Sequence, residues 1–173
     1  GVNPTSIPPG DIFAALQAGT LDGAEWVGPS NDLAFGLQNV ASYMYAPSAV
    51  EVYGGIEFGI GMAAWEALTD SQRLMVETIT EAEANKSSAD TFHANLAAYE
   101  KLRADPNLTI GQFPDDVWEG IETACAEVIE EVKETSDFHR RFVDAYYGYV
   151  QQSTNYKEFY DTGFMVRRQN FFS

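Results

Sequence analysis

The chain is poor in basic residues: 10 lysines and arginines stand against 26 aspartates and glutamates over 173 residues, a formal net charge of -16. Such a surface repels nucleic acid phosphates and anionic membranes, so neither is expected as a partner. One cysteine, Cys125, excludes an intramolecular disulfide and leaves the redox compartment open. The two histidines, His93 and His139, lie far apart without a cysteine pair or an H-x-x-x-H spacing, so both read as structural. No apolar run approaches the roughly 18 residues of a membrane-spanning helix. The opening residues carry no basic stretch followed by an apolar one, and we expect any export signal to have been removed. No G-x-S-x-G elbow offers a nucleophilic serine.

What is present suits a globular chain with a real core, 45% of its residues being apolar. Pro8-Pro9-Gly10 breaks the chain, and Ile12, Phe13, Ala15 and Leu16 then predict a short helix from about Asp11 to Ala18, stopped at Gly19. Thr20 to Val27 reads as a brief strand, and a second short helix from Pro29 carries Leu33, Leu37 and Val40. Tyr43–Tyr45 and the stretch from Gly55 to Met62 read as strands. Thr69 and Gln72 form a capping box, and with no proline before Pro106 the spacing predicts one long helix or a bent pair over roughly 71–104, about 50 Å if unbroken. Thr109 to Gln112 reads as extended. Pro114 opens a helix whose Val117, Ile121, Cys125, Val128 and Val132 recur at helical spacing and predict a core-facing stripe. The tail from Ser136 is dense in aromatics, among them Phe138, Phe142, Tyr146, Tyr156, Phe164 and Phe172, which suggests that it seeks a partner surface.

Two motifs carry chemistry. Gly59-Ile60-Gly61-Met62-Ala63-Ala64 matches the start of a dinucleotide fingerprint, but the acidic strand end expected about 20 residues later falls inside the long helix, so the match is set aside. Glu25, beside Trp26, and Glu51 differ from the helical acids because glycine, proline and aromatics surround them. Carboxylates placed in this way suit either ordinary surface or a site on a loop. With backbone carbonyls they form an oxygen-rich nest for a hard cation, and the rival reading is an acid and base pair in a metal-dependent enzyme.

The run Pro8-Pro9-Gly10-Asp11-Ile12-Phe13-Ala14-Ala15-Leu16-Gln17-Ala18-Gly19-Thr20-Leu21-Asp22-Gly23-Ala24-Glu25-Trp26-Val27-Gly28-Pro29 resembles the solute-binding subunits of tripartite ATP-independent periplasmic (TRAP) transporters, in the branch that takes 2-oxo acids or lactate. The likeness continues through Ala64-Trp65-Glu66-Ala67-Leu68, the long helix, Phe113-Pro114-Asp115-Asp116-Val117 and the aromatic tail. It implies an α/β, periplasmic-binding-protein-like receptor of two lobes (type II), helix-rich, with a long lobe-spanning helix and a C-terminal aromatic helix. Residues 1–27 would belong to one lobe, 28–70 to the other, 71–135 to the long helix and its successor, and 136–173 to the tail.

The resemblance further implies a small monocarboxylate such as pyruvate or lactate, bound with a sodium or calcium ion and delivered to the membrane permease subunits from the periplasm. Glu25, the backbone carbonyl of Trp26 and Glu51 would hold the metal. Glu25 and the Trp26 side chain would meet the substrate. Family members are about twice this length, so the sequence is expected to be the C-terminal portion of a receptor. It would bind without turnover and could pair as a homodimer through its last helix. The alternatives left standing are the metal-dependent enzyme and a helical interaction module.

Overall fold

A computed structural model of the chain describes residues 2–48 and 54–172. The chain divides into two compact units, Gly1–Phe113 and Pro114–Ser173.

In the first unit a 3-10 turn, Pro9–Asp11, leads into α1, Ile12–Gln17. Gly19, at φ 68°, takes the left-handed turn that ends it. The segment expected as a strand up to Val27 is irregular instead. No neighbouring strand pairs with it among the described residues, and a lone extended segment has no ladder to satisfy its backbone. α2 covers Pro29–Phe35 and stops one residue later, because Gly36 turns left-handed at φ 71°. A side chain there would be strained and would also crowd the Asn39 amide at 3.1 Å. Leu37 therefore leaves the expected helix for a separate 3-10 turn, Leu37–Asn39, and Val40 lies just beyond it.

β1, Tyr43–Tyr45, pairs in parallel with β2, Thr109–Gly111, in the register Tyr43 to Thr109, Met44 to Ile110 and Tyr45 to Gly111. Phe113 stacks on Tyr45 with ring centroids 5.0 Å apart, closing the end of this ribbon. The strand expected from Gly55 to Met62 is not formed: the segment to Gly61 has no regular structure, and Met62 opens α3, Met62–Glu66. With no strand before Gly59, the dinucleotide match loses its remaining context as well.

α4 runs unbroken from Asp70 to Arg103. Its start follows from the capping box: Thr69 N–H donates to Gln72 Oε1 at 2.9 Å, and Gln72 N–H donates to Thr69 Oγ1. Arg73 reaches back to the Trp65 and Glu66 carbonyls, both at 3.1 Å, and so satisfies the end of α3. α4 buries only Ala98 and Leu102 and packs against α2, and Ile12 of α1 is the other buried apolar side chain among the described residues of this unit. Residues 81–94 of the same helix are exposed.

The second unit is a helical hairpin followed by a further helix. α5, Asp115–Thr135, begins after Pro114 with two acids in its first turn, where the helix dipole favours them. Ser136 adopts an extended backbone and caps α6, Asp137–Lys157, accepting the His139 N–H. Lys133 ties the two helices by pairing with Glu130 at 3.0 Å and Asp144 at 3.3 Å. The stripe expected to face a core does so only in part: Val117 and Ile121 are half-buried, Cys125, Val128 and Val132 are exposed, and among the described residues of this unit only Val143 is a buried apolar side chain. An amphipathic face buries only where a second layer covers it, and α6 alone is too narrow for that. A π-helical turn, Glu158–Thr162, leads to α7, Gly163–Phe172.

Candidate functional site

Glu25 and Trp26 sit in the irregular segment that enters α2, so their positions follow from how that helix begins and what packs along it. The Trp26 ring leans on Phe35, the last residue of α2, with centroids 5.2 Å apart and planes at 52°. Its indole Nε1 is buried with no hydrogen-bond partner among the described residues. An unpaired buried N–H costs about 1–3 kcal/mol, so the ring is held by packing against that cost.

Glu25 is exposed and forms no ion pair among the described residues. Its charge is nonetheless felt by Asp32 on the first turns of α2. The Asp32 carboxyl is half-buried, and that burial, reinforced by the neighbouring Glu25 charge, raises its pKa from 3.8 to about 6. Two carboxyl groups therefore share one locality. Asp32 was not singled out from the sequence, where an acid in a helical first turn reads as an ordinary dipole partner.

The donor chemistry fits a hard cation. Glu25 offers carboxylate oxygen, and the Trp26 carbonyl accepts no backbone hydrogen bond from the described residues. Glu51, the third expected ligand, lies outside the described residues. Among those described, no three histidine, cysteine, aspartate or glutamate side chains converge as a metal-holding group. Glu25 and Trp26 are thus placed together by the structure, with Asp32 and Phe35 added to them.

What fixes the start of α2 comes from 65 residues away. Asn95 of α4 accepts from the Ser30 N–H at 3.0 Å and from the Ser30 hydroxyl at 2.7 Å, both on Oδ1. Neither residue carries a local signal of this pairing.

Known proteins with this architecture agree on its character. A monocarboxylate 2-oxoacid-binding periplasmic protein of Nostoc sp. is 29% identical over 132 residues, which is 76% of this chain and 36% of that protein. A TRAP periplasmic solute-binding protein of Colwellia psychrerythraea, solved with bound calcium and pyruvate, is similar at a TM-score of 0.84 and 27% identity, covering 96% of this chain and 51% of that one. A TRAP transporter solute-binding protein of Bordetella bronchiseptica is similar at a TM-score of 0.72 and 27% identity, over 95% and 51% of the two chains. It is a mixed-occupancy dimer, with copurified calcium and picolinate in one active site and the other site apo. The chain spans about half the length of these solved structures and just over a third of the curated relative. The model of the bacterial extracellular solute-binding proteins, family 7 (DctP), matches residues 1–135, and the chain belongs to that family.

Proposed function

We propose that this chain forms part of a periplasmic receptor for a TRAP transporter, which captures a small monocarboxylate, a 2-oxo acid such as pyruvate or else lactate, together with a sodium or calcium ion. The observation that carries the reading is the pairing of Glu25 with Trp26 at the entrance to α2, beside a half-buried Asp32 whose proton is retained to about pH 6. A site so rich in carboxyl groups repels an anion by itself. A bound cation reverses that, and the cost of taking a carboxylate out of water falls because the ion lies next to it.

In this reading Glu25, the Trp26 carbonyl and Glu51 hold the cation, while Glu25 and the Trp26 ring border the ligand. A calcium ion takes roughly six to eight oxygens, so the ligand's own oxygens and further receptor residues complete the shell. The calcium-with-pyruvate and calcium-with-picolinate complexes of the two solved relatives support that choice of cation and acid. Residues 1–27 belong to one lobe and 28–70 to the other, α4 spans both, and the ligand is held by hinge closure without turnover before it passes to the membrane subunits. The aromatic tail of residues 136–173 serves a homodimer.

Calorimetric titration of pyruvate and lactate into a receptor carrying this chain, with and without calcium, tests the proposal. Pyruvate is expected to bind only with the cation present and to be recovered unchanged. Glu25→Ala is expected to weaken it about 100-fold or more while leaving the melting temperature in place. Wild-type affinity in that variant would reject the metal assignment.

A further inference from the structure

We propose that Asn95 caps α2 in trans and is thereby a positioning residue for the Glu25-Trp26 segment, an inference that rests on the cation-and-carboxylate reading above. A helix start leaves N–H groups without intrahelical partners, and a serine, threonine, aspartate or asparagine side chain at the N-cap usually accepts one of them. α2 has no such residue. Its N-cap is Gly28, which makes no side-chain bond, and Pro29 has no N–H to satisfy. The Gly28 carbonyl takes the N–H groups of Asn31 and Asp32, both at 2.9 Å. The Ser30 N–H remains, half-buried against α4.

Asn95 Oδ1 supplies the missing acceptor. It takes the Ser30 N–H at 3.0 Å and the Ser30 hydroxyl proton at 2.7 Å, so one oxygen fixes both the backbone and the side chain at the second residue of α2. A backbone N–H can only donate, which places the oxygen and not the nitrogen of the Asn95 amide toward Ser30. On α4, Asn95 precedes Ala98 by three residues and Leu102 by seven, which places all three on one face, and Ala98 and Leu102 are buried. The cap is therefore mounted on the best-anchored stripe of the long helix.

The consequence reaches the site through α2. The Trp26 ring leans on Phe35 at the far end of α2, with centroids 5.2 Å apart, and the Glu25 charge is felt by Asp32 near its start. Both references move if α2 slides or frays. Asn95 thus sets the register of the cation ligands relative to the long helix without touching them.

The test uses a receptor carrying this chain, labelled with 5-fluorotryptophan, with the Trp26 resonance assigned by its loss in Trp26→Phe. Asn95→Leu keeps the size of the side chain and removes the acceptor; Asn95→Asp keeps the acceptor. Without ligand, Asn95→Leu is expected to shift or broaden the Trp26 resonance while those of Trp65 and Trp118 stay in place, and Asn95→Asp to restore it. With calcium saturating, Asn95→Leu is expected to weaken pyruvate binding about tenfold, and Asn95→Asp to return it toward wild type. Ser30→Ala, which loses only the hydroxyl bond, is expected to show a smaller change in the same direction and stands in if Asn95→Leu does not fold.

An unmoved Trp26 resonance overturns the proposal. So does a shifted resonance with unchanged pyruvate affinity, because α2 would then be capped without consequence for the site. A wild-type receptor that binds no pyruvate with calcium refutes the functional reading alone, and the fluorine spectrum then decides whether Asn95 positions Trp26.

Discussion

The unit up to Phe113 is held by residues distant in sequence, whereas the unit from Pro114 is held almost wholly by neighbours. In the first, Ser30 meets Asn95, Ser42 accepts from Thr109, and Tyr43–Tyr45 pairs with Thr109–Gly111. In the second, Ser136 caps its own helix, Phe138, Phe142 and Tyr146 stack at successive turns, and Lys133 to Asp144 is an ion pair between adjacent helices. A site whose groups must keep a fixed relation needs long-range contacts, because local helical bonds set only the path of one segment. The second unit needs no such relation within itself, and it keeps Phe142 62% exposed.

The comparison breaks most readily at the core of the first unit. Leu102 is 2% exposed, and Leu102→Ala is expected to cost about 3 kcal/mol, read by urea unfolding, since it leaves a cavity at a fully buried position. A cost below about 1 kcal/mol would show that α4 does not anchor that unit.

A second test concerns charge in the first unit. The folded state raises the Asp32 pKa above its unfolded value, so the group costs nothing well below pH 4. Stability is lost as pH rises from about 4 to about 6, where the unfolded chain releases the proton and the folded one keeps it, and the penalty is constant above that. Asp32→Asn is therefore expected to stabilise the cation-free protein by about 1–2 kcal/mol at pH 7, after allowing for solvent screening of a half-exposed group, and by nothing near pH 3.5. Melting temperatures of both proteins across that range check the sign.

Trp26→Phe sharpens the same unit more finely. It keeps an aromatic ring against Phe35 and removes a buried donor that lacks a partner, so a gain of about 1 kcal/mol is expected. Because Trp26 is assigned to the cation through its carbonyl, calcium affinity should hold while pyruvate affinity falls, and calorimetry separates the two.

The smallest effect is expected in the second unit. Phe142→Ala with Tyr146→Ala removes exposed rings and should change folding stability by less than about 0.5 kcal/mol per site. Sedimentation velocity then reads the tail's proposed role: a shift from dimer to monomer supports it, and unchanged sedimentation rejects it.

Much of this was legible in the chain. Gly19, the Thr69-Gln72 capping box and the unbroken run to Arg103 announced α1 and α4, because caps, turns and helical propensity act over three or four residues. The Glu25-Trp26 pair was also visible as an acid and an aromatic amid glycine and proline. Other features were misread where a local pattern needed a partner to be realised. The segments ending at Val27 and Met62 look like strands but find none to pair with among the described residues, and the α5 stripe looks like core but finds too little to cover it.

The sequence by itself determined where α4 starts and stops and where α5 starts, the acidic balance of charge, and where the carboxylates and aromatic rings fall along the chain. Only the tertiary structure decided that Asn95 caps α2, that Asp32 shares the locality of Glu25, and that Trp26 leans on Phe35 with its N–H buried. The reason is physical. A hydrogen bond or a desolvation cost between residues far apart in the chain exists only once folding has brought them together, and no spacing along the sequence encodes it.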